Sequence, residues 1–244
     1  MLGKSQVKYI QSLGQKKFRD EEGLFIAEGP KIVDELLLSA HDQIQQLYAL
    51  PDWIAAHSTA LKDISVVELG EKELERISQL TTSNKVLAVV KKFETPLTLE
   101  AKGKVSLVLD GIQDPGNMGT IIRIADWFGI EQIFCSPDCA DMYNSKVVQS
   151  TMGSIARVKM LYTDIVKWVS NQKDIRIYAT ALEGRDVTAM NKMEEGLIII
   201  GNESKGISPA LFELANVKIH IPQKGKAESL NAAVATGIVL SHLI

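Results

Sequence analysis

The stretch Val105-Ser-Leu-Val-Leu-Asp-Gly-Ile-Gln-Asp-Pro-Gly-Asn-Met-Gly-Thr-Ile-Ile-Arg123 sets the fold. Its first five residues are mostly apolar and branched, the pattern of a buried parallel strand. Pro115, Gly116 and Gly119 make a tight turn that lets backbone approach a ligand closely. The spacing from Met118 to Phe128 predicts a helix, with Asn117 as its cap and Arg123 about one turn inside it. Strand, glycine-rich turn and helix form the repeating unit of an open α/β sheet. Such sheets bind ligands at the carboxyl ends of their strands.

Two later stretches repeat the unit. Leu197-Ile-Ile-Ile200 runs into Gly201-Asn-Glu-Ser-Lys-Gly206, and Ser208-Pro209 predicts the cap and first residue of a short helix. Four polar side chains directly after a buried strand call for solvent or a ligand. A strand at Val217–Ile221 leads to Pro222, to a loop carrying Lys224 and Lys226, and to Glu228-Ser-Leu-Asn231. Ser229 is placed to cap the closing helix, Leu230–Leu243. Ala232, Ala233, Ala235 and Gly237 give that helix small residues suited to close packing. Gly237 costs about 1 kcal/mol relative to alanine inside a helix. Between these stretches the pattern predicts strands at Gln132–Cys135 and Ile175–Ala179, and helices at Ser145–Ser154, Ile165–Asn171 and Pro209–Leu214. The alternation predicts a parallel sheet covered on both faces.

The first 90 residues read as a smaller α/β unit. Helices are predicted at Val7–Phe18, Pro30–Leu38 and Glu71–Leu80, and strands at Gly23–Glu28, Gln45–Leu50, Ser65–Leu69 and Lys85–Val90. Residues 91–104 are charged, contain Pro96 and Gly103 and lack a period, so they read as a linker. The expected division is 1–92, a linker at 93–103, and 104–244.

The chain has 244 residues, 45% of them apolar, and a net charge of −3. That charge argues against a protein that coats nucleic acid nonspecifically. Residues 1–19 nevertheless carry Lys4, Lys8, Lys16, Lys17 and Arg19 without an acid. They read either as a phosphate-contacting patch or as a solvated helix face balanced by Asp20, Glu21 and Glu22. No apolar run approaches the roughly 18 residues that span a bilayer, and the N-terminus lacks a signal peptide's apolar core. The two cysteines, Cys135 and Cys139, fit neither a zinc knuckle nor a redox pair. Free thiols in a reducing compartment, here the cytoplasm, are expected. The four histidines are scattered, so no metal site is expected. No Gly-x-Gly precedes the turn at Gly116, and Gly103-Lys104 and Gly225-Lys226 are not followed by Ser or Thr. Dinucleotide and phosphate-loop signatures are therefore missing.

Taken together, Asn117-x-Gly119-x-x-x-Arg123, Gly201-Asn-Glu203-x-x-Gly206, and Ile221-Pro222 with Ser229-Leu-Asn231 resemble the three motifs of the SpoU (TrmH) family. These are RNA ribose 2′-O-methyltransferases of the SPOUT superfamily. The resemblance covers about residues 104–244, in order and spacing. The first domain is similar to the substrate-binding domain of ribosomal-RNA members, through Phe25-Ile-Ala-Glu-Gly29 and Lys85-Val-Leu-Ala-Val-Val90. Where many relatives have a Pro-Gln-Gly turn, this chain has Ser83-Asn84-Lys85.

The resemblance implies an α/β SPOUT domain with a parallel sheet and a deep trefoil knot, preceded by a small α/β substrate-binding domain. It implies a homodimer, S-adenosylmethionine as methyl donor, no metal and an RNA substrate, ribosomal in preference to transfer RNA. It places Thr180, Ala181, Ile200, Gly201, Asn202, Ile221, Pro222, Ser229, Leu230 and Asn231 at the cofactor, and Arg123, Asn117 and Glu203 at the reaction. Lys16, Lys17 and Arg19 would contact RNA. A ribose hydroxyl is a weak nucleophile that must be aligned and its developing charge stabilised. A guanidinium holds its proton, which favours stabilisation by Arg123 over a general-base role. A non-catalytic RNA-binding assembly factor and an unrelated nucleotide-binding enzyme are the alternative classes.

Overall fold

In the computed structural model, which describes residues 2–94 and 99–244, the chain forms two compact units. One comprises Met1–Glu94 with Asp141–Ala156, the other Thr95–Ala140 with Arg157–Ile244. The linker reading at 93–103 lies partly outside the described residues. Its later part is held down: Ala101 is buried in the core of the second unit and Gly103 N–H donates to Glu195 at 2.5 Å.

The first unit contains α1 (Lys4–Ser12), α2 (Lys16–Glu22), β1 (Leu24–Glu28), α3 (Pro30–Ser39), β2 (Ile44–Ala49), α4 (Pro51–Ala56), β3 (Val66–Glu68), α5 (Glu71–Ile77) and β4 (Val86–Lys91). Its sheet has the order β1-β4-β2-β3. β4 is antiparallel to β1 and β2, and β3 is parallel to β2. The helix expected at Val7–Phe18 is two helices. Chain reversal at Leu13–Gln15 buries Ile10 and Leu13, and the carbonyls of Leu13 and Gly14 accept from Arg19 instead of continuing a helix.

The second unit contains β5 (Val105–Asp110), α6 (Pro115–Trp127) and β6 (Gln132–Cys135). The chain then contributes α7 (Ser145–Thr151) to the first unit, where Gln149 Nε2 donates to the carbonyl of Glu28 at 2.8 Å. It returns with β7 (Lys159–Tyr162), α8 (Ile165–Ser170), β8 (Ile177–Asp186), β9 (Gly196–Gly201), α9 (Pro209–Phe212), β10 (Val217–His220) and α10 (Ala232–Leu243). The strand order is β10-β8-β9-β5-β6-β7, and all five pairings are parallel. β5 and β9 are central, and their apolar runs are buried on both faces, as parallel strands require. Val108, Phe134, Ile177, Leu197 and Ile199 form one side of the core, where Trp168 stacks on Phe134 at 3.6 Å. Full burial of one such side chain stabilises the fold by about 1.5–3 kcal/mol.

β8 is longer than expected, because its end pairs with β10 across a register shift at Lys218/Ile219. β7 and α4 have no counterpart in the sequence reading. Among the described residues, no helix is long and apolar enough to cross a membrane.

Candidate functional site

Because the strands are parallel, the turns after β5, β9 and β10 all emerge at the carboxyl end of the sheet. Asp110 on β5 pairs with Gly201 on β9, so the first two turns start side by side. Two side-chain contacts then fasten them. Asp110 Oδ2 accepts from the Ser208 N–H at 2.6 Å, and Asn202 Nδ2 donates to the carbonyl of Gly111 at 2.7 Å.

The turn after β9 folds back on itself. Asn202 and Gly206 exchange main-chain hydrogen bonds of 3.0 and 2.9 Å. Asn202 Oδ1 accepts from the N–H groups of Ser204 and Lys205. A Cβ at Gly201 would lie 2.4 Å from the Gly206 carbonyl carbon, so only glycine permits this closure. The resulting loop presents Glu203.

Glu203 reaches the turn after β5. Its Oε1 accepts from Asn117 Nδ2 at 2.5 Å, and Asn117 Oδ1 accepts from Asn231 Nδ2 at 2.8 Å. Asn231 Oδ1 in turn accepts from the N–H groups of Ala233 and Val234. One run of hydrogen bonds therefore joins all three motif loops, 86 and 114 residues apart along the chain.

Several expected local roles shift. α6 starts at Pro115, three residues before the expected Met118, and its cap is Asp114, whose Oδ1 accepts from Asn117 N–H at 2.8 Å. An Asp-Pro pair supplies a cap acceptor followed by a ring that needs no donor, which overrides Asn117 as cap. Arg123 thus lies about two turns into α6, not one. It is exposed and, among the described residues, its guanidinium has no hydrogen-bond or carboxylate partner. The cap of α10 is Asn231, not Ser229, whose hydroxyl is exposed and unengaged among the described residues. Ser208 occupies the cap position of α9, but its side chain makes no cap bond. A Cβ at Gly237 would meet Ile124 Cδ1 at 3.6 Å, an ordinary contact, so the packing of α10 against α6 does not demand glycine there.

The residues expected at the cofactor fall into three kinds. Ile200 is buried and Asn202 is occupied by loop contacts, while the Thr180 hydroxyl donates to the Ile199 carbonyl at 3.0 Å. Gly201, Ala181 and Ile221 are half-buried at strand ends. Pro222, Ser229 and Leu230 are exposed, and among the described residues the main-chain groups of Ile221 and Leu230 have no internal partner.

In the first unit, Lys16 and Lys17 are exposed beside Asp20 and Glu21. Arg19 is not an accessible cation. It is 2% exposed, and its guanidinium bonds Leu13 O, Gly14 O and Asp141 Oδ2, the last at 2.6 Å. Charge counting along the sequence does not reveal which helix face is covered. Asp110 and Asp114 lie in the first motif stretch, yet its pattern assigns neither of them a role. Asp114-Pro115 carried a legible cap signal, whereas the Asp110–Ser208 contact joins residues 98 apart and has no local signature. Among the described residues, no group of three or more His, Cys, Asp or Glu side chains converges as a metal site would.

Comparison with known proteins places the chain in a family. The SpoU rRNA methylase family model matches residues 104–241, and the MRM3-like substrate binding domain matches residues 4–88. The chain is 31% identical to the 23S rRNA (guanosine(2553)-2′-O)-methyltransferase RlmP of Bacillus subtilis, over 98% of this chain and 95% of that protein. An AdoMet-bound rRNA methyltransferase from Sinorhizobium meliloti superposes with a TM-score of 0.84 at 32% identity, covering 99% of this chain and 95% of the other. A TrmH-family chain from Porphyromonas gingivalis superposes with a TM-score of 0.87 at 35% identity, covering 99% and 98%. With its three motif loops joined through Asn117, this chain belongs to the SpoU family of RNA methyltransferases.

Proposed function

We propose that the protein transfers a methyl group from S-adenosylmethionine to a ribose 2′-hydroxyl of ribosomal RNA. The observation that carries this reading is the Glu203–Asn117–Asn231 run of hydrogen bonds, which joins the three loops to the start of the helix that carries Arg123, exposed and without a hydrogen-bond or carboxylate partner among the described residues.

The residues fit the cofactor. Main-chain groups at Ile221 and Leu230, unengaged among the described residues, suit the hydrogen-bonding edges of an adenosine, and the exposed side chains of Leu182 and Leu230 suit its apolar ring faces. Gly201, Ala181 and Ser229 complete that group of residues. When bound, the cofactor supplies a sulfonium-activated methyl group, so the protein need only orient the acceptor and stabilise its charge.

Arg123 performs the second task. Its guanidinium keeps its proton and offers up to five donors to a phosphate and to the ribose oxygen as that oxygen gains negative charge. As the oxygen–methyl bond forms, the methyl–sulfur bond breaks, S-adenosylhomocysteine leaves, and the hydroxyl proton passes to solvent water, which reaches the exposed Arg123; Asn117 and Glu203 do not take it. They hold the start of α6, and with it Arg123, against the loop after β9.

The first unit, similar to a substrate-binding domain, would engage the RNA, with Lys16 and Lys17 among its phosphate contacts. The protein would act in the cytoplasm as a homodimer. Trp127 on α6 and Val234 on α10 are 84% and 51% exposed on helices that pack together, and a second copy would cover them. The test is methyl transfer from labelled S-adenosylmethionine to purified ribosomal and transfer RNA, with Arg123→Ala as the control. Label in ribosomal RNA that disappears with Arg123→Ala is expected; label confined to transfer RNA overturns the substrate assignment.

A further inference from the structure

The entrance to the loop after β5 is held by a segment that none of the three motifs contains. Gly111 N–H donates to Ser136 Oγ at 2.9 Å, and the next amide, Ile112 N–H, donates to Cys139 Sγ at 3.2 Å. Ser136 is 6% exposed and Cys139 is buried, so both bonds are shielded from water. The carbonyl of Gly111 then accepts from Asn202, which organises the loop carrying Glu203. Gly111 has φ +66°, a conformation that favours glycine, and the peptide groups before and after it are both fastened, the first by Ser136 and the second by Cys139 and Asn202.

A serine hydroxyl has one proton and can turn it either way. Here it donates to Asp138 Oδ1 at 2.5 Å, which leaves an oxygen lone pair facing Gly111 N–H. Asp138 is exposed and contributes little to the core. Its carboxylate stands over Gly111, 3.4 Å from where a Cβ would be.

We infer that Asp138 and Ser136 are positioning residues for methyl transfer: Asp138 orients the Ser136 hydroxyl, which holds the peptide before Gly111 while Cys139 holds the one after it, and the backbone so fixed at Gly111 places Asn202 and hence Glu203 against Asn117. This rests on the function proposed above. What Asp138 supplies is an acceptor, not a charge, so asparagine, whose side-chain oxygen also accepts, replaces it.

The experiment compares Asp138→Ala, Asp138→Asn and Ser136→Thr in the full chain, by steady-state kinetics and by hydrogen exchange of the Gly111 amide. Asp138→Ala is expected to lower kcat about tenfold, the scale of a small misplacement at a reacting centre. KM for RNA and the thermal midpoint should stay near wild type, and Gly111 exchange should quicken. Asp138→Asn and Ser136→Thr should keep kcat within about twofold, since each preserves the bond. Wild-type kcat in Asp138→Ala, a loss confined to KM for RNA, or an Asn variant as poor as the Ala variant would each overturn the inference. If the wild-type protein does not methylate RNA, the proposed function fails first, and the Gly111 exchange rates still decide the hydrogen-bond relay.

Discussion

Asn231 Nδ2 donates to Asn117 Oδ1 at 2.8 Å while Asn231 Oδ1 caps α10, so one side chain both starts the last helix and tethers it to the first motif loop. Asn231→Asp separates the two roles. Aspartate caps as well as asparagine does but has no N–H to give Asn117. The variant should keep its stability within about 0.5 kcal/mol, since the cap survives. Its kcat should fall at least about tenfold through the disturbed loop geometry. Asn231→Ala should add a stability loss of about 1 kcal/mol. Urea denaturation and single-turnover assays separate these effects.

Arg123→Ala should reduce the single-turnover rate by about 10²–10³, the usual cost of removing a charge-stabilising donor. Affinity for S-adenosylmethionine, measured by calorimetry, should be unchanged, because Arg123 projects from α6 about two turns past its start rather than from the loops after β9 and β10. Arg123→Lys should recover only part of the rate, since a point charge lacks the guanidinium's fork of donors.

The basic residues near the N-terminus should divide into two classes. Arg19→Ala leaves the Asp141 carboxylate, with a side chain 17% exposed, without its cation. It should cost about 3–5 kcal/mol of stability. Lys16→Glu and Lys17→Glu, at exposed i,i+4 pairs, should change stability by less than about 1 kcal/mol. They should weaken RNA binding and flatten its salt dependence. Denaturation curves together with binding titrations at two salt concentrations test both classes.

Glu28 is buried in the first unit, and burial raises its pKa above the usual value, although Ser78 Oγ and Gln79 N–H partly offset this by donating to its carboxylate. A raised folded-state pKa favours the protonated form. The resulting stability is fully present below the unfolded pKa and is lost as pH rises through the folded value. Glu28→Gln should remove that slope and hold stability at pH 7 at or above wild type by up to about 1 kcal/mol. Denaturant midpoints at pH 4, 5.5 and 7 read the slope directly; an unchanged slope in the variant would assign it to another group.

The central strands and the loops after them were legible because β5 and β9 are unbroken apolar runs followed by glycine-bracketed polar turns. The motifs and their resemblance single out Arg123, Glu203 and Asn117, but not their geometry, because Asp114-Pro115 lengthens α6 and moves Arg123 up the helix. β7 escaped notice because four residues carry too little period. The burial of Arg19 is not legible, because a charge run shows composition and not which face is covered. The Ser136–Gly111 and Asp110–Ser208 bonds link residues 25 and 98 apart, and nothing local in the sequence foreshadows either one.

The central claim is that the methyl group goes to a ribose oxygen. Ribosomal RNA methylated in vitro with labelled S-adenosylmethionine is hydrolysed in alkali, where cleavage at each phosphodiester needs the neighbouring free 2′-hydroxyl. The label should appear in an alkali-resistant dinucleotide, one uncut bond marking one methylated ribose, and Arg123→Ala should abolish it. Label recovered in mononucleotides would place the methyl group on a base, and absence of label from every RNA offered would remove the activity altogether; either result contradicts the account.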